Sequence, residues 1–301
     1  MFCQKSAVRT NDTDSAGRCT IPLPMNTAFS PERATFEANT FEPRRVQESL
    51  KSYGCALIKR LLQPDRLAEF DARIACNLNG IDAALRRHGL DPSMGNGWPL
   101  YFAEDLDREL VQETFCQSAP GFFNPRRMGE LPRRSLLDYV FPRLRDTGLD
   151  RVIRKGIGLW LRRLYTSAAI CHIRNFPSVE PAQIQEAERG LEFHQDNKLY
   201  DVRHPILTLW FPFRYEHGKM ASLEFLPRAE PEFLPTVTRC GIARDAFPKE
   251  AFWSPEYELG DAVLISGWAP HRTYYPPAIS LERTSIDLRF FPTRVPEPLY
   301  A

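Results

Sequence analysis

From Thr166 onward, β-branched and aromatic residues come in short runs broken by proline and glycine, and this texture commits the second half of the chain to short antiparallel strands. The runs predict strands over Ala168–Asn175, Leu191–Asp196, Ile206–Phe213, Ser222–Leu226, Ala262–Ser266 and Thr284–Phe291. Antiparallel strands in this number close as a barrel or a double-sheet jelly roll, whose mouth has room for one metal and one small ligand. Pro177–Arg189 reads as an insertion with a helical piece over Ala182–Arg189, and Pro227–Ser254 as a proline-punctuated connection.

The first half has a different grain. Residues 1–40 are rich in Thr, Ser, Asn, Asp and Pro without sustained periodicity, and read as a flexible leader. Pro43–Tyr53 suits a helix that Gly54 ends, Cys55–Leu62 a short apolar strand, and Pro64–Arg87 a second helix with apolar residues at helical spacing. Residues 90–104 read as loop, Asp105–Thr114 as a short helix, Ser118–Arg133 as a loop carrying Arg126, Arg127 and Arg133, and Ser135–Asp146 and Asp150–Tyr165 as helices. The expected class is therefore α+β: one domain over 41–301, with a helical part to about 165 and a double-stranded β-helix, or cupin-like jelly roll, over about 166–295.

With 39 Lys+Arg against 38 Asp+Glu, the net charge of +1 offers no global field for nucleic acid or an anionic membrane surface. No run of apolar residues is long enough for a membrane span, and Met1–Ser6 has no signal-peptide core. The seven cysteines are scattered, odd in number and without a C-x-x-C pair, which argues for a reducing, cytoplasmic setting rather than a disulfide framework. Nothing in the sequence speaks to oligomeric state.

Two segments carry chemistry. In Leu191-Glu192-Phe193-His194-Gln195-Asp196, an extended backbone would put His194 and Asp196 on one face. In Gly260–His271, a turn and an apolar strand end at a histidine. Two imidazoles and a carboxylate leave open positions on a metal, the pattern of non-haem Fe(II) oxygenases. Farther on, Arg283–Phe290 alternates cleanly, with Thr284, Ile286, Leu288 and Phe290 on one face and Arg283, Ser285, Asp287 and Arg289 on the other. If the polar face looks to water, this is an ordinary sheet edge; if it looks inward, Arg283 can clamp a carboxylate near the metal.

The order H-x-D, then G-D and an apolar run ending in His271, then Thr273 and Arg283, resembles the phytanoyl-CoA dioxygenase family of Fe(II)- and 2-oxoglutarate-dependent oxygenases. The opening "YGCALIKRLLQPDRLAEF" is similar to that family's as well. The resemblance spans about Pro43–Pro292 and is thin between residues 90 and 165. It implies that His194, Asp196 and His271 bind Fe(II), that Arg283 and Thr273 hold the distal carboxylate of 2-oxoglutarate, and that Trp210 in "LTLWFPF" lines the cosubstrate pocket. It further implies an O2-dependent hydroxylation of a small molecule with release of succinate and CO2. Related halogenases carry a small residue where Asp196 stands, so hydroxylation is favoured over halogenation. A tryptophan among Leu, Phe and Pro, as Trp210 is, is more often plain core.

His172 and Arg174 share a face of the strand before H-x-D. His172 reads as a structural histidine, and Arg174 as a candidate for the cosubstrate or an acidic substrate, or as a structural ion-pair partner. Arg289 can reach a substrate or pair with a carboxylate on a neighbouring strand. Two other classes remain open: a cupin-like metal enzyme using no oxo-acid, and a catalytically silent jelly-roll binding module.

Overall fold

The computed structural model describes residues 29–72, 117–118, 130–159, 169–176, 193–237, 241–242 and 247–292. In chain order the main elements are β1 (Thr35–Glu37), α1 (Pro43–Tyr53), β2 (Cys55–Lys59), α2 (residues 64–72), β3 (Gln117–Ser118), α3 (Glu130–Asp146), α4 (Leu149–Gly156) and β4 (Ala169–Phe176). They continue with α5 (Asp196–Leu199), β5 (Leu207–Pro212), β6 (Ser222–Phe225), β7 (Ala262–Ser266), β8 (His271–Tyr274) and β9 (Arg283–Phe290).

Seven strands form one sheet in the order β1-β2-β7-β5-β9-β4-β3, and β6 and β8 pair in a second, smaller sheet. The outer pairs β1–β2 and β3–β4 are parallel and the rest antiparallel. Chain reversal between the sheets happens at Gly267–Pro270, where β7 leaves the large sheet and β8 joins the small one. Because strand side chains alternate, the large sheet has two different faces. One presents Ala56, Ile58, Leu209, Phe211, Leu264, Ile286 and Leu288 to apolar residues of the helical layer, among them Val46, Leu50, Val140, Leu144 and Val152. From the other face, Leu57, Trp210, Val263 and Ile265 meet Leu223 and Phe225 of the small sheet. This layout is consistent with a jelly-roll core.

Local signals explain several elements. Pro43 stands in the first turn of α1, where its missing N–H costs nothing. Gly54 closes the helix in the left-handed region at φ 73°, its N–H donating to Leu50 O. Gly260 is equally constrained: φ is 102°, and a Cβ there would stand 2.5 Å from Leu62 O. Gly260→Ala is therefore expected to cost about 3 kcal/mol, read by urea unfolding, since backbone strain and a backbone clash act together. Next to it, Asp261 is a fully buried structural carboxylate that accepts from Arg60 N and Glu258 N and pairs with Lys59 at 2.6 Å.

The structure corrects several expectations. The leader does not extend to residue 40: Ala34 and Phe36 are buried and Thr35–Glu37 pairs with β2, a tertiary partner that no local pattern announces. The first 28 residues lie outside the described ones. Helix α3 begins at Glu130, inside the expected loop, because Pro132 falls in the first turn where proline is tolerated. Helix α4 stops at Gly156 instead of reaching Tyr165, and Gly158 beyond it has φ 78°. Leu191–Asp196 is not a full strand: Phe193 and His194 make single bridges, and Asp196 starts the one-turn α5. His271 opens β8 instead of ending the strand before it. The pieces expected at 90–104, Asp105–Thr114 and Ala182–Arg189 lie outside the described residues, as do Arg126 and Arg127.

Candidate metal centre

Two segments far apart in sequence meet at the two histidines. His194 N donates to His271 O at 3.1 Å and His271 N to His194 O at 3.0 Å, so the two residues lie directly opposite in an antiparallel bridge. Their rings sit 4.6 Å apart between centroids. His271 Nδ1 lies 3.0 Å from Ala269 O. A carbonyl can only accept, so Nδ1 carries the proton and Nε2 keeps its lone pair for a metal.

Asp196 completes the group. One ligand atom from each of His194, Asp196 and His271 lies within 4.8 Å of the others, and the three can hold a metal ion. The face-sharing expected of an extended strand is not what aims Asp196. Gln195 is extended, at φ −107° and ψ 128°, and the chain then turns into α5, which starts at Asp196. The carboxylate is held instead by β9 and β5. Arg289 Nε donates to Oδ2 at 3.0 Å and Nη2 to Oδ1 at 3.1 Å, while the Thr208 hydroxyl donates to Oδ2 at 2.7 Å. Oδ1 faces His194, 4.0 Å from its Nε2. Asp196 and Arg289 are 0% and 1% exposed, so this bidentate pair is shielded from water. Burial pushes the Asp196 carboxyl up, but Arg289 foremost, with the two histidines, holds it well below the usual carboxylate range. Arg289 also contacts Asp287, with Nη1 3.3 Å from Oδ2.

The residue between the ligands fastens the surrounding loops. Gln195 is fully buried; its amide nitrogen donates to Trp268 O at 2.7 Å and Glu232 O at 2.9 Å, and its oxygen accepts from Leu234 N at 2.9 Å. It thereby ties H-Q-D to the turn before His271 and to the proline-rich connection. On the outer side of β8, Arg272 pairs with Glu224 of β6 at 2.9 Å and lies over the Phe193 ring.

The polar face of β9 looks inward: Arg283, Ser285, Asp287 and Arg289 are all buried. The Arg283 guanidinium lies 5.2 Å over the Trp210 ring and donates from Nη1 to Ala221 O and Ser222 O, at 3.0 and 3.1 Å. Trp210 in turn packs on Tyr257 at 5.0 Å. Among the described residues, two buried hydroxyls, Ser285 Oγ and Tyr257 Oη, have no hydrogen-bond partner, which is costly unless a ligand satisfies them. Thr273 is buried on β8, two residues past His271 and opposite Leu223. The register places Arg174 opposite Ser285 and His172 opposite Asp287; their side chains lie outside the described residues. Ser285 already stood on the polar side of an alternating run, whereas nothing local marks Thr208, Gln195 or Tyr257, whose roles depend on partners far away in the chain.

No protein-family model matches the chain, and no curated protein matches it in sequence. Among solved structures, it is similar to EvdO2 from Micromonospora carbonacea var. aurantiaca complexed with 2-oxoglutarate, at 15% identity over 87% of this chain and 94% of that one, with a TM-score of 0.50. What the two share is the fold. EctD from S. alaskensis in its apoform, at 10% identity over 90% of this chain and 81% of that one, has a TM-score of 0.47. AviO1 from Streptomyces viridochromogenes Tue57, at 16% identity over 86% and 99%, has one of 0.46. These last two scores add nothing to the assignment of fold.

Proposed function

We propose that the chain is an Fe(II)- and 2-oxoglutarate-dependent dioxygenase that hydroxylates a small molecule, and that it belongs with the phytanoyl-CoA dioxygenases its motif order resembles. The observation that carries this reading is one buried interior lined both by a His-Asp-His group and by the Arg283 guanidinium, with the hydroxyls of Ser285 and Tyr257 unpartnered among the described residues. Thr208, which holds Asp196, and Trp210, which carries Arg283, are two residues apart on β5, a rise of about 7 Å. The similarity to a protein crystallised with 2-oxoglutarate accords with this reading.

In this reading His194, Asp196 and His271 hold the metal from one side, with His271 offering Nε2. Arg283 would clamp the distal carboxylate of the oxo-acid, with Ser285, Tyr257 and Thr273 supplying hydroxyls and Trp210 walling the pocket, and Arg174, opposite Ser285 in the β4–β9 register, is a further candidate for the cosubstrate. When bound, Fe(II), 2-oxoglutarate and O2 supply the oxidant, coupling loss of CO2 and formation of succinate to oxygen insertion into the substrate. Asp196 fills the carboxylate position that halogenases leave open, which favours hydroxylation. Cys55 is free and buried and no helix of the described residues can cross a membrane, and we place the enzyme in the cytoplasm acting on a small molecule.

The test is anaerobic addition of Fe(II) and 2-oxoglutarate to the purified protein. A weak visible charge-transfer band and, with a substrate library and O2, substrate-dependent succinate are expected. A folded, metal-loaded protein with neither is a cupin-like enzyme of another kind or a binding module.

A further inference from the structure

Metal-binding carboxylates are aimed by what holds their other lone pairs, and Asp196 is held by a cation. We propose that Arg289 is the resident counter-ion of the metal site: it keeps Asp196 charged and aimed whether or not a metal is bound, and its positive charge makes the site weak for a divalent cation alone but strong for the cation together with an anionic chelator. This rests on the metal-site reading given above.

The argument is one of charge and geometry. Arg289 uses two nitrogens on the two oxygens of Asp196, and Thr208 adds a third donor, so three of the carboxylate's four lone-pair sites are taken. What remains on Oδ1 looks toward His194, the direction of the metal. With neutral imidazoles, Asp196 and Arg289 sum to zero, and the other two charged residues on the inward face of β9, Arg283 and Asp287, add no net charge. A divalent cation entering alone would leave two net positive charges in a water-poor interior, within a few ångströms of a guanidinium that is itself 1% exposed. A doubly charged oxo-acid restores neutrality. A metal triad whose carboxylate lacked such a partner would behave in the opposite way, needing the metal to keep a buried carboxylate stable.

Arg289 is thus a positioning residue, and metal affinity and stability report on it independently of turnover. The experiment titrates Co(II) into the chelator-treated full-length protein, with and without 2-oxoglutarate, and follows thermal unfolding of each state. Wild type should unfold cooperatively without metal and bind Co(II) at least tenfold more tightly when the oxo-acid is present. Arg289→Met should melt lower without metal, regain most of that loss with Co(II), and bind Co(II) alone at least tenfold more tightly than wild type. Arg289→Lys, which keeps the charge, should stay within threefold of wild type. If Arg289→Met folds only with Co(II) present, the proposal stands. If it fails to fold at all, Arg289→Lys decides, and a tenfold change in its Co(II) affinity overturns the proposal. Unchanged metal-free stability in Arg289→Met, or Co(II) affinity equal to or weaker than wild type, also overturns it. Failure of the oxo-acid to tighten Co(II) in wild type, with the Arg289→Met responses intact, sinks the 2-oxoglutarate reading and overturns the chelator half of the proposal, leaving only the hold of Arg289 on Asp196.

Discussion

Asp196→Ala is expected to abolish stoichiometric metal binding and to destabilise the metal-free protein by about 3–5 kcal/mol, the usual penalty for leaving one half of a buried ion pair behind. The stranded group is Arg289, which would face Thr208 and Asp287 with no bidentate partner. Turnover should fall by about three orders of magnitude or more, because two imidazoles alone hold a divalent ion weakly. Metal analysis after desalting and urea unfolding of the chelator-treated protein measure the two effects separately. A stability within about 1 kcal/mol of wild type would mean that the pair is not what orders this part of the barrel. The pH dependence has a definite sign. The folded pKa of Asp196 is depressed, so its contribution to stability is fully present above about pH 4 and is lost only as pH falls toward the folded value. Acid titration of the metal-free wild type should show this loss below about pH 4, and the alanine variant should lack it.

Arg283→Ala is expected to raise the 2-oxoglutarate concentration needed for half-maximal succinate release by about a hundredfold, which corresponds to roughly 3 kcal/mol of lost charge pairing. Metal content should not change, since Arg283 bonds the carbonyls of Ala221 and Ser222 at the start of β6. Arg283→Lys keeps the charge but not the fork, and should recover only part of the affinity. Equilibrium binding of the oxo-acid to the anaerobic Fe(II) protein checks the same quantity without turnover. An unchanged oxo-acid requirement would favour a cupin-like enzyme of different chemistry.

How much of this was legible in the sequence depended on the range of the physics involved. Helix α1 was readable to the residue because Pro43 and Gly54 act locally. The strand β9 was readable because its alternation is a property of eight consecutive residues. Which way its polar face looked was not, since that depends on the small sheet that covers it. Strand β1 pairs with β2 in parallel across a connection containing α1, and three residues carry too little pattern to announce it. The spacing picked out His194, Asp196 and His271, and the structure brings these three together, but Arg289 and Thr208 aim Asp196, not the pleat of a strand. For Arg289 the sequence leaves two roles open, and its partner in the structure is the Asp196 carboxylate.

The backbone bridge between His194 and His271 has a consequence for how the centre can open. These two amide hydrogen bonds are the stitches by which the small sheet takes on the H-Q-D segment, so the two histidine backbones cannot separate without unpicking that seam. Whatever exchanges at this centre must therefore come and go past fixed nitrogens, and any breathing that admits it has to occur elsewhere in the wall.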